Sequence, residues 1–132
     1  MEITASIPRL PRAARLAAAR ELIEANLDRE DLTPARAAEA LKISLRQLHL
    51  LFAATGKSFS RTVLEQRLER ARRQLIEQPE RRVIDIALAC GIRSSTVFYR
   101  GFRDVFGMNP TEYRQMTLGG RIESAGFPAL RD

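Results

Sequence analysis

A serine followed at i+4 and i+8 by large apolar residues occurs twice in this chain, as Ser44, Leu48 and Phe52 and again as Ser94, Phe98 and Phe102. The spacing puts the two apolar side chains of each set on one helix face, and serine is a preferred N-cap. Upstream of each set a small residue, Ala38 or Ala87, stands in register, with one extra residue in the second turn. A duplicated pattern of short helix, turn and second helix leaves few folds open. Each copy is too small to bury a core alone, so two helix-turn-helix units must lean on flanking helices.

The second copy, residues 85–114, is the denser one. Val83, Ile86, Ala87 and Cys90 fall at i, i+3, i+4 and i+7 and predict a short buried helix, with Cys90 in the core. Gly91 supplies a residue that tolerates a left-handed turn, and Ser94 caps the next helix. Phe98, Phe102 and Val105 form the packing face of that helix, while Ser95, Thr96, Tyr99, Arg100 and Arg103 point away from it. Phe106-Gly107 is a stop signal, and Asn109-Pro110 opens a final helix holding Tyr113. In the first copy, residues 33–56, Thr33 caps and Pro34 starts a helix carrying Ala37, Ala38 and Leu41. Ser44 caps the next, on which Leu45, Leu48 and Phe52 make the apolar stripe, and Gly56 ends it.

The remaining segments support these units. Residues 1–10 read as an arm or a linker remnant, and Pro11 opens an alanine-rich helix with Leu16, Ala19, Ile23 and Leu27 on one face and Arg12, Arg15 and Arg20 on a solvated one. Residues 58–78 predict one long helix, roughly 30 Å at ~1.5 Å per residue, ended by Pro79. The expected division is thus an arm at 1–10, a first helix-turn-helix subdomain at 11–57, a linker helix at 58–78, a second subdomain at 79–116 and a loosely ordered tail at 117–132. No stretch alternates as a strand would, so the fold class is all-α. A linker of that length fits the ~34 Å between successive major grooves that helix-turn-helix dimers span.

Composition narrows the function. Lys and Arg number 22 against 16 Asp and Glu, a formal charge of +6 carried mostly by arginine, which favours phosphate and guanine as partners. One cysteine and one histidine, Cys90 and His49, exclude a disulfide within the chain and a metal cluster built on either residue type. No apolar run reaches the ~18 residues of a membrane span. No nucleophile with its base, paired carboxylates or phosphate loop is present, so neither an enzyme, a metal site nor a cofactor is expected. With no membrane span and no signal-peptide apolar block at the N-terminus, the location should be cytoplasmic.

The residues resemble the DNA-binding domain of the AraC/XylS family of bacterial transcription regulators. The likeness runs from about Leu32 to Met116 and is most specific at Ile86-Ala87, Gly91, Phe98, Arg100, Phe102, Phe106-Gly107, Pro110 and Tyr113-Arg114. In the first half it is carried by Ala38, Ser44, Leu48, Phe52, Gly56, Arg67 and Arg70-Ala71. Three positions depart: Lys42 stands where the family commonly has the turn glycine, Ile92 replaces a phenylalanine after Gly91, and Leu50 replaces a frequent arginine. The resemblance implies about seven helices in two subdomains that bind tandem major grooves of double-stranded DNA, usually to activate transcription through contact with RNA polymerase. Many relatives carry an effector-binding domain ahead of this one; no effector is expected for this segment, which reads as a short stand-alone member or the C-terminal piece of a longer regulator.

By position, the resemblance assigns base contacts to Arg46, His49 and Leu50 on the first recognition helix and to Ser95, Thr96 and Arg100 on the second. Arg100 can donate two hydrogen bonds to guanine, whereas Leu50 offers only contact with a thymine methyl. Backbone phosphates would fall to the helix starts at Ser58 and Thr111 and to Lys57, Arg61 and Arg103. The competing reading is a helical protein-protein interaction module whose arginines serve an acidic partner.

Overall fold

Lys42 and Gly91 close the first helix of each repeat in the left-handed conformation, and the two turns share one hydrogen-bond pattern in this computed structural model, which describes residues 7–123. Ile43 N–H donates to Ala38 O at 3.0 Å and Ile92 N–H to Ala87 O at 2.9 Å, the six-to-one bond of a Schellman ending. The extra residue of the second turn is therefore Arg93, inserted after that bond and before the Ser94 cap.

Seven α-helices and no strand occur among the described residues, and a 3-10 turn, Ile7–Arg9, precedes them. They are α1 (Arg12–Ala25), α2 (Pro34–Leu41), α3 (Leu45–Ala53), α4 (Phe59–Glu77), α5 (Val83–Ala89), α6 (Ser95–Phe106) and α7 (Pro110–Glu123). The chain divides into two compact units at Gln66 and Arg67, so the boundary falls within α4.

In the first unit, Thr33 Oγ1 accepts the Arg36 N–H at 3.2 Å and Pro34 takes the first helical position of α2. Ser44 and Gln47 form a reciprocal capping box on α3: Ser44 Oγ accepts the Gln47 N–H at 3.0 Å, and Gln47 Oε1 accepts the Ser44 N–H at 2.8 Å. The core gathers Ala19, Ile23 and Leu27 of α1 and its exit, Ala37, Ala38 and Leu41 of α2, Leu48, Leu51 and Phe52 of α3, and Phe59 and Val63 of α4. The Phe52 and Phe59 rings meet edge to face with centroids 5.4 Å apart.

Three local expectations are corrected here. Leu45, placed by its spacing on the packing stripe, is 44% exposed, and Leu51 is buried instead, because α3 turns its 48–51–52 edge inward. Pro11 stands at the N-cap position, just outside α1, rather than filling its first helical position. Residues 1–10 do not read as an arm throughout, since Ile7 is buried in the core cluster.

In the second unit, Ser94 Oγ accepts the Val97 N–H at 3.2 Å to start α6, and Gly107, at φ 84°, ends it. Asn109 and Glu112 repeat the capping box at α7. Leu68, Ala71, Leu75, Ile86, Ala87, Cys90, Ile92, Phe98, Phe102, Pro110 and Tyr113 are buried. The ring of Phe102 lies 4.6 Å from Phe106 and 5.6 Å from Tyr113 by centroid. Burial pushes the Cys90 thiol above its ordinary pKa, as befits a core residue. Val105, expected on the packed face, is 38% exposed.

Two arginines tie α4 to α7 within this unit. Arg72 donates to the Tyr113 hydroxyl at 3.0 Å while gripping both carboxylate oxygens of Glu69. Arg114 donates to three carbonyls at the end of α4 and just beyond it, Leu75 at 3.0 Å, Gln78 at 2.9 Å and Arg81 at 2.6 Å, satisfying acceptors that a helix end leaves open. With its start tied down, α7 continues to Glu123, past Met116 where the sequence pattern dissolves, so the segment expected to be loose from residue 117 is helical as far as Glu123. The rest of the expected tail lies outside the described residues.

Candidate nucleic-acid interface

Each recognition helix is held by a buried aromatic and turns polar side chains outward. On α3, Phe52 is fully buried and Arg46, His49 and Leu50 are exposed, spaced i, i+3 and i+4 along one face. Leu50 is 57% exposed, more than any other large apolar side chain among the described residues. On α6, Phe98 and Phe102 are buried while Ser95, Thr96, Arg100 and Arg103 are exposed. All six expected base-contacting side chains are thus solvent-facing, three in each unit.

Neither Arg46 nor Arg100 forms an ion pair among the described residues, so both guanidiniums keep their donors for an incoming acceptor. Tyr99 is half-buried, and its hydroxyl lies 3.2 Å from Thr111 Oγ1, linking α6 to the first turn of α7. Thr111 is exposed, and the capping box beside it uses the Glu112 N–H.

The expected phosphate group of the first unit is already organised by an acid. Lys57 Nζ lies 2.6 Å from Glu65 Oε1, and Arg61 Nε lies 2.9 Å from Glu65 Oε2. The Lys57 ammonium, foremost, and the Arg61 guanidinium hold the Glu65 carboxyl below the usual glutamate range. Ser58 Oγ accepts the Arg61 N–H at 3.0 Å, so its side chain caps α4. Lys57 and Arg61 therefore come together with Glu65 as their hub, beside the Ser58 cap, and the carboxylate reduces the charge of the two cations to a net +1.

Two features escaped the sequence reading. Gln47 spends its side chain on the Ser44 cap, a pairing that the Ser-x-x-Gln pattern made readable. The bond from Lys57 to Glu65 spans a loop and two turns of helix, which no fixed spacing encodes.

No group of three or more His, Cys, Asp or Glu residues able to hold a metal occurs among the described residues, and no helix there is long and apolar enough to cross a membrane.

Two capped helix pairs, each displaying a polar second helix over a buried aromatic anchor, define a tandem helix-turn-helix protein. A helix-turn-helix domain family matches residues 37–116. The transcriptional regulator ArgR of Pseudomonas aeruginosa is 37% identical over 107 residues, covering 80% of this chain and 32% of its own length. The transcriptional activator NphR of a Rhodococcus species is 37% identical over 106 residues, covering 80% of this chain and 31% of its own. The solved structure of an AraC-type DNA-binding-domain regulator from Chromobacterium violaceum superposes with a TM-score of 0.71 at 37% identity, covering 79% of this chain and 92% of that one. The chain belongs to the AraC/XylS family of transcription regulators, which are not enzymes, and carries that family's DNA-binding domain. It spans about a third of the length of the curated relatives it matches.

Proposed function

We propose that this chain is a sequence-specific, double-stranded-DNA-binding activator of transcription that reads two adjacent major-groove segments of a promoter, one with α3 and one with α6. The observation that supports this most directly is the repeated display of exposed side chains, Arg46, His49 and Leu50 and then Ser95, Thr96 and Arg100, over buried Phe52 and over buried Phe98 and Phe102. Rigid anchoring beneath a reading face is what base discrimination needs, because each bidentate contact depends on placing a guanidinium within hydrogen-bond reach. Lys57, Ser58, Arg61, Arg103 and Thr111 fit the accompanying phosphate contacts by charge or by position at a helix start.

The activating role and contact with RNA polymerase rest on the family and on relatives named as activators, NphR of Rhodococcus and RhrA of Rhizobium meliloti. A cytoplasmic location follows from the same reading. Selection of bound sequences from a random duplex pool tests it: two sequence-constrained blocks about one helical turn apart are expected. An unenriched pool, or salt-insensitive binding, would overturn it in favour of the protein-interaction module.

A further inference from the structure

We propose that Arg12 and Arg15, at the start of α1, clamp a DNA backbone phosphate beside the groove segment assigned to α3. The inference rests on the DNA-binding reading above and adds to it a contact from a helix outside the helix-turn-helix pair.

A cavity of about 220 Å³ is lined by Arg12, Arg15, Ile43, Gln47, Leu50 and Leu51. It joins the first turn of α1 to the face of α3 that carries Leu50. Ile43, Leu50 and Leu51 are apolar, and the Gln47 side chain is bound to the Ser44 backbone, so the charge in the cavity comes from the two arginines. Neither arginine forms an ion pair among the described residues, and α1 has no acidic residue in its first turn.

Arg15 supplies the second, independent sign of a ligand. Its Nε is buried and has no hydrogen-bond partner among the described residues. Buried donors are nearly always paired, by ordered water or a ligand as well as by protein, and in the clamp the acceptor for the partly buried Arg15 is a phosphate oxygen. The start of α1 adds to the attraction: Pro11 provides no side-chain cap, which leaves the positive end of the helix dipole and its first N–H groups for an anion. A phosphate diester meets all three demands, accepting from guanidiniums and from helix N–H groups at once.

Leu50 explains why the charge lies here. A leucine on the reading face contributes no electrostatic attraction, and the cavity places two cations next to it on a neighbouring helix. Position along the duplex would then be fixed from α1, while α3 supplies the surface that enters the groove.

The test measures binding of the wild-type chain and of Arg12→Gln, Arg15→Gln, the double variant and Arg15→Lys, on a pool-selected duplex and a random one, across a salt series. Loss of the clamp in the double variant should lower the slope of log K against log salt by about 0.9 and weaken both duplexes alike, on the order of tenfold at ~0.1 M salt, with each single variant falling between it and wild type. Arg15→Lys should recover most of the slope. Ethylation of duplex phosphates should reveal one protected position, flanking the α3 segment, that disappears in the double variant. A folded double variant with the wild-type slope and affinity overturns the clamp. Should Arg15→Gln not fold, Arg12→Gln, at an exposed position, decides the matter alone: an unchanged slope there overturns the clamp equally. A wild-type chain that shows no salt-dependent DNA binding overturns the underlying reading, and the clamp with it.

Discussion

Lys42 and Gly91 occupy the same turn position in the two repeats, with φ of 61° and 93°, yet only one of them is a glycine. A side chain in the left-handed region costs about 1–2 kcal/mol per residue. The first turn bears that strain because its six-to-one bond and the burial of Ile43 hold it in place.

Lys42→Gly should therefore stabilise the chain, by about 0.5–1 kcal/mol once the greater freedom of the unfolded glycine is set against the relieved strain. Urea unfolding followed by circular dichroism checks this through a higher midpoint at unchanged slope. A lower midpoint would mean that the lysine side chain makes a compensating contact.

Arg100→Ala should lose about 1–3 kcal/mol on the best selected duplex and relax preference at one base pair. Lys57→Ala should weaken all duplexes alike. Competition binding against single-base variants separates the two. Equal loss for Arg100→Ala on selected and random DNA would remove it from the base readers.

Glu65 restrains both Lys57 and Arg61, so Glu65→Gln should strengthen binding to random duplex and steepen its salt dependence. Lowering the pH should not mimic the substitution until well into the acid range, because the Glu65 carboxyl is held below the usual glutamate range and stays ionised there. Titrated binding at constant ionic strength provides the check, and a rise near neutral pH would contradict the arrangement.

Glu69, held below its ordinary pKa chiefly by its hydrogen bonds with Arg72, makes a stability contribution with a defined sign. The folded-state value is depressed, so the contribution is complete above the ordinary glutamate pKa and is lost as pH falls through the folded one. In Glu69→Gln, acid unfolding below about pH 4.5 should be shallower than in wild type, measured as midpoint against pH.

Arg114→Ala removes the donor shared by the carbonyls of Leu75, Gln78 and Arg81 and should destabilise the chain by about 2–3 kcal/mol. Arg114→Lys should not restore this, since one ammonium cannot reproduce the planar fork. Thermal unfolding of both variants gives the comparison.

The helices were legible in the sequence because their caps and apolar spacing are local signals. Thr33, Ser44, Ser94 and Asn109 each cap where the pattern puts them. Six expected base readers lie on solvent-facing positions for the same reason, since each sits off the Phe52 or Phe98 stripe on its helix. What the sequence did not reveal depends on distant partners. Leu45 and Leu51 are equally apolar, and only the packing of α1 and α2 decides which is buried. The tie between Arg72 and Tyr113 crosses 41 positions, and the Arg15 guanidinium could be told from a solvated one only by what surrounds it.

Cys90 is the one thiol in the chain, sealed in the second unit with its ionisation suppressed by burial. A thiol reagent therefore meets no competing thiol and reacts only when the surroundings of α5 open. The rate of that single alkylation is a built-in clock for breathing of the half of the molecule that carries Arg100, and slowing of the clock by added duplex would time how firmly that half is held without any introduced label.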